Sequence, residues 1–283
     1  MRLFSKSSLR SRTAFKQLIE GHGQTGSGGP ASAKPWRSVN CVAVHDGYTL
    51  RDCTFYTDDD GSHNCWGSSG DENLRRERSK LLLGLVFTSQ GVPLIQEGDE
   101  FGRTKSGAAS RKGVRDSYDY EAQNGDPNVN NVNWIDWRLK DGDASGSPNA
   151  PRYGRELSRW TQGLIALRKR WSHFRRADFP DYVEGAPDDR NGPRNDGRFT
   201  YVWEGPAAGS PTQLAVVWWG KAGEPDLMVI YNEHWEPFTV DNLGAWSRGN
   251  WKVLARSWFD EDAHLCGPAD WETKCPDAGA ASR

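Results

Sequence analysis

Two segments of the sequence decide the fold: SVNCVAVHDGYTLRD at residues 38–52 and SQGVPLIQEGDEFGRT at residues 89–104. Each begins with a short apolar run and ends in polar residues and glycine, which is typical of a buried parallel strand that delivers side chains at its carboxyl end. Between them, residues 72–90 carry leucines at helical spacing, with charged residues at the start and Gly91 at the end. The order strand, helix, strand predicts a βαβ unit whose functional residues come after the carboxyl ends of its strands.

The flanking sequence predicts further elements on both sides of this unit. Residues 1–20 predict a short basic helix, residues 21–38 a loop, and residues 154–171 an amphipathic helix. Short strand patterns separated by turn residues lie at 198–204, 213–219, 226–232, 236–240 and 251–257. They predict a small antiparallel β-sandwich after a Gly-, Asp- and Pro-rich linker at 181–197.

Two polar stretches, residues 54–71 and 102–152, are interpreted as loops. The first is rich in Asp, Gly and Ser. The second is long for a compact domain, and a loop of such length is usually functional or disordered. Its tyrosines and tryptophans favour an ordered, functional loop.

Composition and charge exclude several classes of function. The chain of 283 residues has 36 Lys and Arg against 38 Asp and Glu, a net charge of −2. This balance argues against a nucleic-acid or membrane-surface partner, which normally requires a basic excess or patch. No apolar run is long enough for a transmembrane helix. The 14 tryptophans favour a protein that stacks flat rings on sugars or bases, although β-sandwich cores also use tryptophan.

Two pairs of polar residues near strand ends are candidates for a site. His45 and Asp46 end the first apolar run, where they can hydrogen-bond the vicinal hydroxyls of a substrate. On spacing alone, a satisfied structural histidine beside a capping aspartate remains the alternative. Asp99 and Glu100 lie near Arg103 and form either the polar floor of a site or an ion network that fixes the loop.

A third cluster combines amides with aromatic rings, as sugar-binding sites do. Its members are Asn128, Asn130, Asn131, Asn133, Trp134 and Trp137. Turn-forming asparagines and core tryptophans are the alternative. No glycine-rich phosphate loop, Gly-x-Ser-x-Gly motif or metal triad is present, so the sequence predicts neither a cofactor nor a metal.

Cysteine carries little information about the compartment. The count is five, so the cysteines do not all pair internally, and no zinc-binding spacing occurs. Cys266 and Cys275 flank a loop and are either bridged or two unrelated thiols.

The two fold-deciding segments resemble a known enzyme family. Residues 38–52 resemble the seventh-strand signature of the α-amylase clan of glycoside hydrolases, in its isoamylase and glycogen-debranching branch, and residues 89–104 resemble the eighth strand of the same barrel. NVNNVNWIDW at 128–137 and DLMVIYNEHWEPFTV at 226–240 resemble segments that come after the eighth strand in that branch. The resemblance extends from about residue 38 to about residue 258.

The resemblance implies a fold class of α/β plus all-β. Residues 1–38 are then an N-terminal helix and loop, residues 39–177 the C-terminal part of a (β/α)₈ TIM barrel with its seventh and eighth strands, and residues 178–283 a C-terminal antiparallel β-sandwich. The implied reaction is retaining hydrolysis of α-1,6 branch linkages in glycogen, amylopectin or limit dextrin. The implied partner is therefore a branched α-glucan, with no nucleic acid and no membrane.

The resemblance also assigns roles to individual residues. Asp46 matches the third acidic residue of the family, which binds the sugar ring beside the cut and stabilises the oxocarbenium-like transition state. His45 matches the neighbouring histidine, which hydrogen-bonds the same sugar. Asp99, Glu100 and Arg103 match the substrate-binding wall at the end of the eighth strand.

One departure from the family pattern is large. A retaining glycosidase of this type needs two carboxyl groups about 5 Å apart, as nucleophile and general acid. The family takes them from its fourth and fifth strands, and nothing in this sequence matches those motifs. Only about 38 residues precede the seventh-strand segment, whereas a whole barrel takes about 250. We therefore expect a C-terminal fragment that is inactive alone. The alternatives are a non-catalytic carbohydrate-binding module and a remnant that does not fold.

Incomplete closure has a physical consequence. Two or three parallel strands cannot close a barrel, and their edges expose backbone donors and apolar faces. We therefore expect residues 1–177 to be unstable alone and the β module to fold independently.

Overall fold

The computed structural model describes residues 2–3, 12–21, 34–44, 48–55, 71–104, 135–141, 150–177, 199–204, 213–233, 239–240 and 251–257. The helices and strands in these ranges are β1 (Arg2–Leu3), α1 (Arg12–Glu20), β2 (Val39–Cys41), α2 (Leu50–Phe55), α3 (Glu72–Thr88), β3 (Val92–Pro93), α4 (Arg138–Asp141), α5 (Ala150–Arg170), β4 (Phe199–Glu204), β5 (Gln213–Trp218) and β6 (Leu227–Asn232). Short 3₁₀ turns lie at Pro35–Arg37 and Asp99–Phe101. No helix in the described part of the chain is long and apolar enough to cross a membrane.

The first sheet is parallel, with strand order β1-β2-β3. Val39 pairs with Val92, and α3 connects the two strands, so the predicted βαβ unit is confirmed. Arg2 pairs with Asn40 on the other side of β2. The prediction of one helix over residues 1–20 was therefore wrong, because Arg2 and Leu3 form a strand and the helix begins at Arg12. The parallel sheet thus contains a third strand in addition to the two of the βαβ unit.

Local chemistry explains both ends of α3. At its start, the Asp71 carboxylate accepts the backbone N–H groups of Asn73 (2.8 Å) and Leu74 (3.1 Å), which have no partner within the helix. At its end, the backbone of Gly91 adopts φ +110°, and a Cβ there would lie 2.7 Å from the Ser38 carbonyl oxygen. Only glycine fits this approach, which brings the chain from α3 into β3 beside β2.

A buried guanidinium completes the connection from α3 to β3. Arg168 on α5 donates to the carbonyl oxygens of Phe87 (2.7 Å), Ser89 (2.8 Å) and Gly91. These carbonyls lie at the end of α3 or beyond it, where helical partners are lost. Arg168 therefore fixes the last turn of α3 and the loop to β3 against α5.

The second sheet is antiparallel, with β5 between β4 and β6. Each strand has six residues, and every residue of β5 is buried. Leu214, Val216 and Trp218 contribute to the main core. Val217 on the opposite face packs with Trp219, Met228 and Trp251.

One hydrophobic core joins the helices of the α/β part to the antiparallel sheet. Its buried side chains come from α1, α3, α5 and the antiparallel sheet and include Phe15, Ile19, Leu82, Val86, Leu157, Trp160, Phe199, Val216, Trp218 and Tyr231. Phe15 packs edge-on against Tyr231, with ring centroids 5.4 Å apart. The helices of the α/β part therefore cover one face of the antiparallel sheet. The division at residues 38 and 177, and the sandwich itself, stay predictions.

Several hydrogen bonds cross the same junction. The Tyr231 hydroxyl lies 2.8 Å from the Thr88 hydroxyl on α3, and the Tyr201 hydroxyl donates to Glu20 on α1 at 2.6 Å. The loop after α5 adds Arg176, which donates to the Trp219 carbonyl at 2.8 Å. The two regions are thus connected by polar contacts as well as by apolar packing.

Other sequence predictions have mixed outcomes. The helices predicted at 72–90 and 154–171 are confirmed with small changes in their ends, as are the strands at 198–204, 213–219 and 226–232. The loop predicted at 54–71 was wrong at its start, because α2 continues to Phe55. Residues 251–257 form isolated bridges at Lys252 and Ala255 in place of a strand.

Further predictions fall wholly or mostly on residues outside the described ranges. They are most of the loops at 21–38, 54–71 and 102–152, the linker at 181–197, most of the strand at 236–240, the Cys266–Cys275 pair, and the third cluster apart from Trp137, namely Asn128, Asn130, Asn131, Asn133 and Trp134.

Candidate functional site

Three of the five predicted site residues lie in one turn. Asp99, Glu100 and Arg103 come six to ten residues after β3, and the Arg103 N–H donates to the Gly98 carbonyl at 2.8 Å to close the turn. His45 and Asp46 lie outside the described residues, although the chain is described up to Val44 and again from Tyr48. A single cleft formed by all five residues therefore stays a prediction.

Asp99 caps the short helix α2. Its Oδ1 accepts the Leu50 N–H at 2.9 Å, and the Thr49 hydroxyl accepts the Asp52 N–H at 3.2 Å. These two oxygens satisfy amide groups that the first turn of a helix leaves without partners. The turn after β3 thereby holds the helix that begins four residues after Asp46.

Two additional contacts connect the same turn to α2. The Thr104 hydroxyl donates to the Asp52 carboxylate, which is itself buried. Arg51 donates to the Gly102 carbonyl at 3.4 Å, and its guanidinium lies 5.1 Å from the centre of the Tyr153 ring. Because each contact starts from a different residue of α2, the helix has little freedom to rotate or slide over the turn.

A buried hydroxyl network extends this arrangement to α3 and α5. The Tyr153 hydroxyl on α5 lies 2.7 Å from the Ser79 hydroxyl on α3, which in turn lies 3.2 Å from the Thr54 hydroxyl on α2. Burial raises the pKa of Tyr153 to about 12, so its phenol stays protonated at neutral pH. The network therefore remains uncharged while it fixes three helices against one another.

The electrostatics of the turn are dominated by burial. Asp99 is 2% exposed and Arg103 is 6% exposed, whereas Glu100 is partly open to solvent. Burial raises the pKa of Asp99 to about 7, opposed by the Leu50 hydrogen bond and the charge of Arg103. Glu100 receives the Gly98 N–H at 2.9 Å. Of the three predicted residues, Glu100 is the one whose carboxylate is best placed to reach a ligand.

Sequence patterns did not point to the residues that support this turn. Asp52, Thr104 and Tyr153 are far apart in the chain, and no spacing rule links them. Asp52 stands six residues after Asp46 within the first signature, and Thr104 ends the second signature, but nothing in the sequence pairs them. Among the described residues, no group of three or more His, Cys, Asp or Glu side chains is arranged to hold a metal ion.

Curated relatives match part of this chain. Isoamylase 1 of Arabidopsis thaliana is 35% identical over 115 residues, which are 33% of this chain and 14% of the relative. The isoamylase of a Flavobacterium species is 31% identical over 165 residues, or 53% of this chain and 18% of the relative. The matched part thus spans less than a fifth of either relative. Further relatives are named glycogen debranching enzyme. No protein-family model matches the chain.

A solved structure shares the fold over most of the chain. It is the catalytic module of the multi-modular glycogen-degrading pneumococcal virulence factor SpuA, with a TM-score of 0.58 and 22% identity. The likeness covers 90% of this chain and 35% of that module. At this identity, the likeness establishes a shared fold.

The curated relatives identify the class of protein to which this chain is related. Over the aligned part of its length, this chain is homologous to debranching enzymes. Within that class, the curated relatives carry the names isoamylase and glycogen debranching enzyme, and the resemblance identified from the two strand signatures is confirmed.

Proposed function

We propose that this chain supplies the sugar-binding and transition-state-stabilising part of an isoamylase-type enzyme that hydrolyses α-1,6 branch linkages with retention. The observation that carries the proposal is the parallel sheet β1-β2-β3, in which the HDGYTLRD and GDEFGRT segments come after the two neighbouring strands β2 and β3. Carboxyl ends of parallel strands meet at one edge of a sheet, which is where barrel enzymes hold their substrates. The similarity of part of the chain to isoamylases also supports an enzyme of this type.

In this proposal, the residues divide into two kinds. Asp46 and His45 contact the sugar ring next to the scissile bond, and Glu100 contributes to the wall of the cleft. Asp99 and Arg103 are too buried to touch a substrate freely, so they act by holding the turn and α2 in place. The ligand is a branched α-glucan.

We further propose that the chain alone lacks the nucleophile and the general acid. The described sheet has three parallel strands, whereas a closed barrel of this kind has eight. The buried carboxyls of Asp99 and Asp52 bond to a backbone N–H and to a hydroxyl within the protein. Neither carboxyl group is therefore open to the anomeric carbon of an approaching substrate, as a nucleophile must be.

A transition-state analogue tests the proposal directly. Acarbose, whose valienamine ring mimics the flattened oxocarbenium ion, is compared with maltotetraose by isothermal titration calorimetry. A site built for the transition state should prefer the analogue by about tenfold or more, and Asp46→Ala should abolish that preference. A simple carbohydrate-binding module would bind both ligands alike, which would contradict the proposal.

A reducing-sugar assay on amylopectin tests catalytic incompleteness. We expect no release by the chain or by Asp46→Ala. Release by the parent chain that disappears in Asp46→Ala would show that a catalytic pair is present. Asp99→Asn and Glu100→Gln would then identify whether the pair includes either carboxyl group.

A further inference from the structure

Trp137 is an exposed aromatic ring beside the candidate site. Its side chain is 55% exposed, which is unusual for a residue whose large apolar surface normally favours burial. The ring lies 5.4 Å from the ring of Phe101, at an angle of 37°. Phe101 is buried in the Asp99–Phe101 turn, so Trp137 stands next to the turn that carries Asp99 and Glu100.

The backbone that carries Trp137 is firmly held. Leu139 of α4 is buried, and α4 approaches α5 so closely that a Cβ at Gly154 would meet the Leu139 carbonyl oxygen. Arg155 of α5 donates to the Asp141 carbonyl at 2.9 Å. The buried side chain of Leu139 and the bonded carbonyl of Asp141 both hold α4 in place. Binding a ligand to the Trp137 ring should therefore cost little conformational entropy of the backbone.

Polar groups also order the start of α4. The Asp136 carboxylate accepts the Arg138 backbone N–H at 3.1 Å and makes two bonds to the Arg138 guanidinium, at 2.8 and 2.7 Å. The side chains of Arg138, Lys140 and Asp141 are exposed. Apart from the buried Leu139, the residues of α4 that follow Trp137 are therefore charged and exposed.

We propose that Trp137 is an aromatic platform on which this chain stacks a glucosyl residue of an α-glucan, extending the cleft beyond the turn at Asp99–Arg103. The inference rests on the proposed function for the identity of the sugar. A flat exposed ring matches the apolar C–H face of a pyranose, while the hydroxyls at the sugar's rim remain free to bond with water and with charged neighbours. Trp137 differs from a tryptophan of the core because its backbone is fixed, its ring is exposed and it lies beside the turn.

The chain contains a matched control. Trp36 is also 55% exposed, but it lies in the Pro35–Arg37 turn, which ends two residues before the amino end of β2. The amino ends of the strands lie opposite the edge where the turn after β3 is found. A general attraction of sugars to exposed tryptophan would involve both rings, whereas a platform in the cleft involves Trp137 alone.

Isothermal titration calorimetry with maltoheptaose tests the platform. Trp137→Ala should weaken binding about fivefold or more, the loss that marks a dominant aromatic contact. Trp137→Leu, which keeps an apolar contact with Phe101 but has no flat ring, should show the same loss. Trp137→Phe should stay within about twofold of the parent because it retains an aromatic face. Trp36→Ala should bind like the parent, and the thermal unfolding of every variant is measured alongside.

The outcomes separate the platform from the proposed function. Unchanged affinity in Trp137→Ala and Trp137→Leu, with affinity lost in Asp46→Ala, would overturn the platform and leave the proposed function standing. Equal losses in the Trp137 and Trp36 variants would overturn it as well. Loss only in the Trp137 variants, with Asp46→Ala binding normally, would support the platform and contradict the assigned role of Asp46. No binding by the parent chain would overturn both.

Discussion

The two sheets in the described part of the chain are stabilised by different kinds of contact. Strands β1, β2 and β3 have only two or three residues each, so their backbone pairing is slight, and side chains from α2, α3 and α5 fix the surrounding elements. Strands β4, β5 and β6 have six residues each and pair along their whole length, with one irregularity between Tyr201 and Trp203. Yet the antiparallel sheet takes part of its apolar cover from the helices of the first region. Backbone pairing therefore orders the antiparallel sheet, whereas side-chain contacts order the region around the parallel sheet. The hydrophobic core between these two regions is shared.

The largest expected effect comes from removing a side chain of the shared core. Trp218 is fully buried, with its ring 5.1 Å from Phe199 and 5.7 Å from Phe174. Trp218→Ala should lower the free energy of unfolding by about 3–5 kcal/mol through lost burial and a cavity. Denaturant unfolding monitored by circular dichroism checks this, and we expect both regions to unfold in one transition.

The control for Trp218 is Ile230→Ala on the neighbouring strand β6. Ile230 is 48% exposed, so its truncation should change stability by less than about 0.5 kcal/mol. Two separate transitions in the parent chain would contradict the shared core and support independent folding of the β module.

A smaller effect should appear at Asp99 as a dependence on pH. Its pKa is raised to about 7 by burial, above the unfolded value of about 3.9. The folded state therefore holds the proton more tightly, and the stability linked to Asp99 is complete below about pH 4 and is lost as pH rises through about 7. We expect the free energy of unfolding to fall by about 2 kcal/mol. This is less than the full pKa shift implies, because the effective dielectric constant at buried sites is higher than that of dry protein.

Asp99→Asn isolates this contribution. Asparagine keeps an oxygen that can accept the Leu50 N–H but does not titrate. The difference in unfolding free energy between parent and variant should therefore shrink or change sign between pH 5 and pH 8. Urea midpoints at the two pH values provide the measurement. A constant difference across that range would mean that Asp99 does not titrate in the folded protein.

His173, in the junction between the regions, should show the opposite dependence. Its Nε2 lies 2.8 Å from the Pro225 carbonyl oxygen, between the charges of Arg176 and Glu224. Burial, reinforced by Arg176 and opposed by Glu224, lowers the pKa of His173 to about 4. Stability linked to this group is present above about pH 6.5 and is lost as pH falls towards 4, by about 1.5 kcal/mol.

The matched variant is His173→Gln, which keeps a donor for Pro225 without titrating in this range. Its unfolding midpoint should fall less than that of the parent between pH 7 and pH 5. Identical acid sensitivity in the two proteins would assign the effect to other groups.

The smallest effect concerns the cap of α3, the helix that contacts both regions. Asp71→Ala removes the acceptor for the Asn73 and Leu74 N–H groups and should cost about 1 kcal/mol. Asp71→Asn should cost less, since asparagine is an equally good cap. Thermal unfolding of the two variants makes the comparison, and equal losses would show that charge, rather than the hydrogen bonds, provides the stabilisation.

Regular elements with a clear local pattern were predictable from the sequence. The helix Glu72–Thr88 has leucines at helical spacing, a capping aspartate and a closing glycine, and each of these signals acts over only a few residues. The strands at Gln213–Trp218 and Leu227–Asn232 were equally clear because turn residues bound them. Strand β1 was missed, since two residues carry no pattern and Arg2 and Leu3 are strand-like only because they pair with β2.

The candidate site was predicted as a group of residues but not as an arrangement. The GDEFGRT segment drew attention to Asp99, Glu100 and Arg103, and all three do share one turn. Nothing in the sequence indicated that Asp99 is buried and bonded to Leu50, 49 residues away. Burial depends on what α2, α3 and α5 bring together, and those contacts are set by packing over long separations.

By itself, the sequence determined the helices, the longer strands, the βαβ order and the relation to debranching enzymes, because capping, periodicity and strand-end signatures are local properties. Only the tertiary structure decided that Asp99 caps α2, that Trp137 remains exposed beside Phe101, and that the helices around the first sheet share a core with the antiparallel sheet. The physical reason is that burial, desolvation and long-range hydrogen bonds depend on which distant segments meet, and no local pattern of residues encodes that meeting.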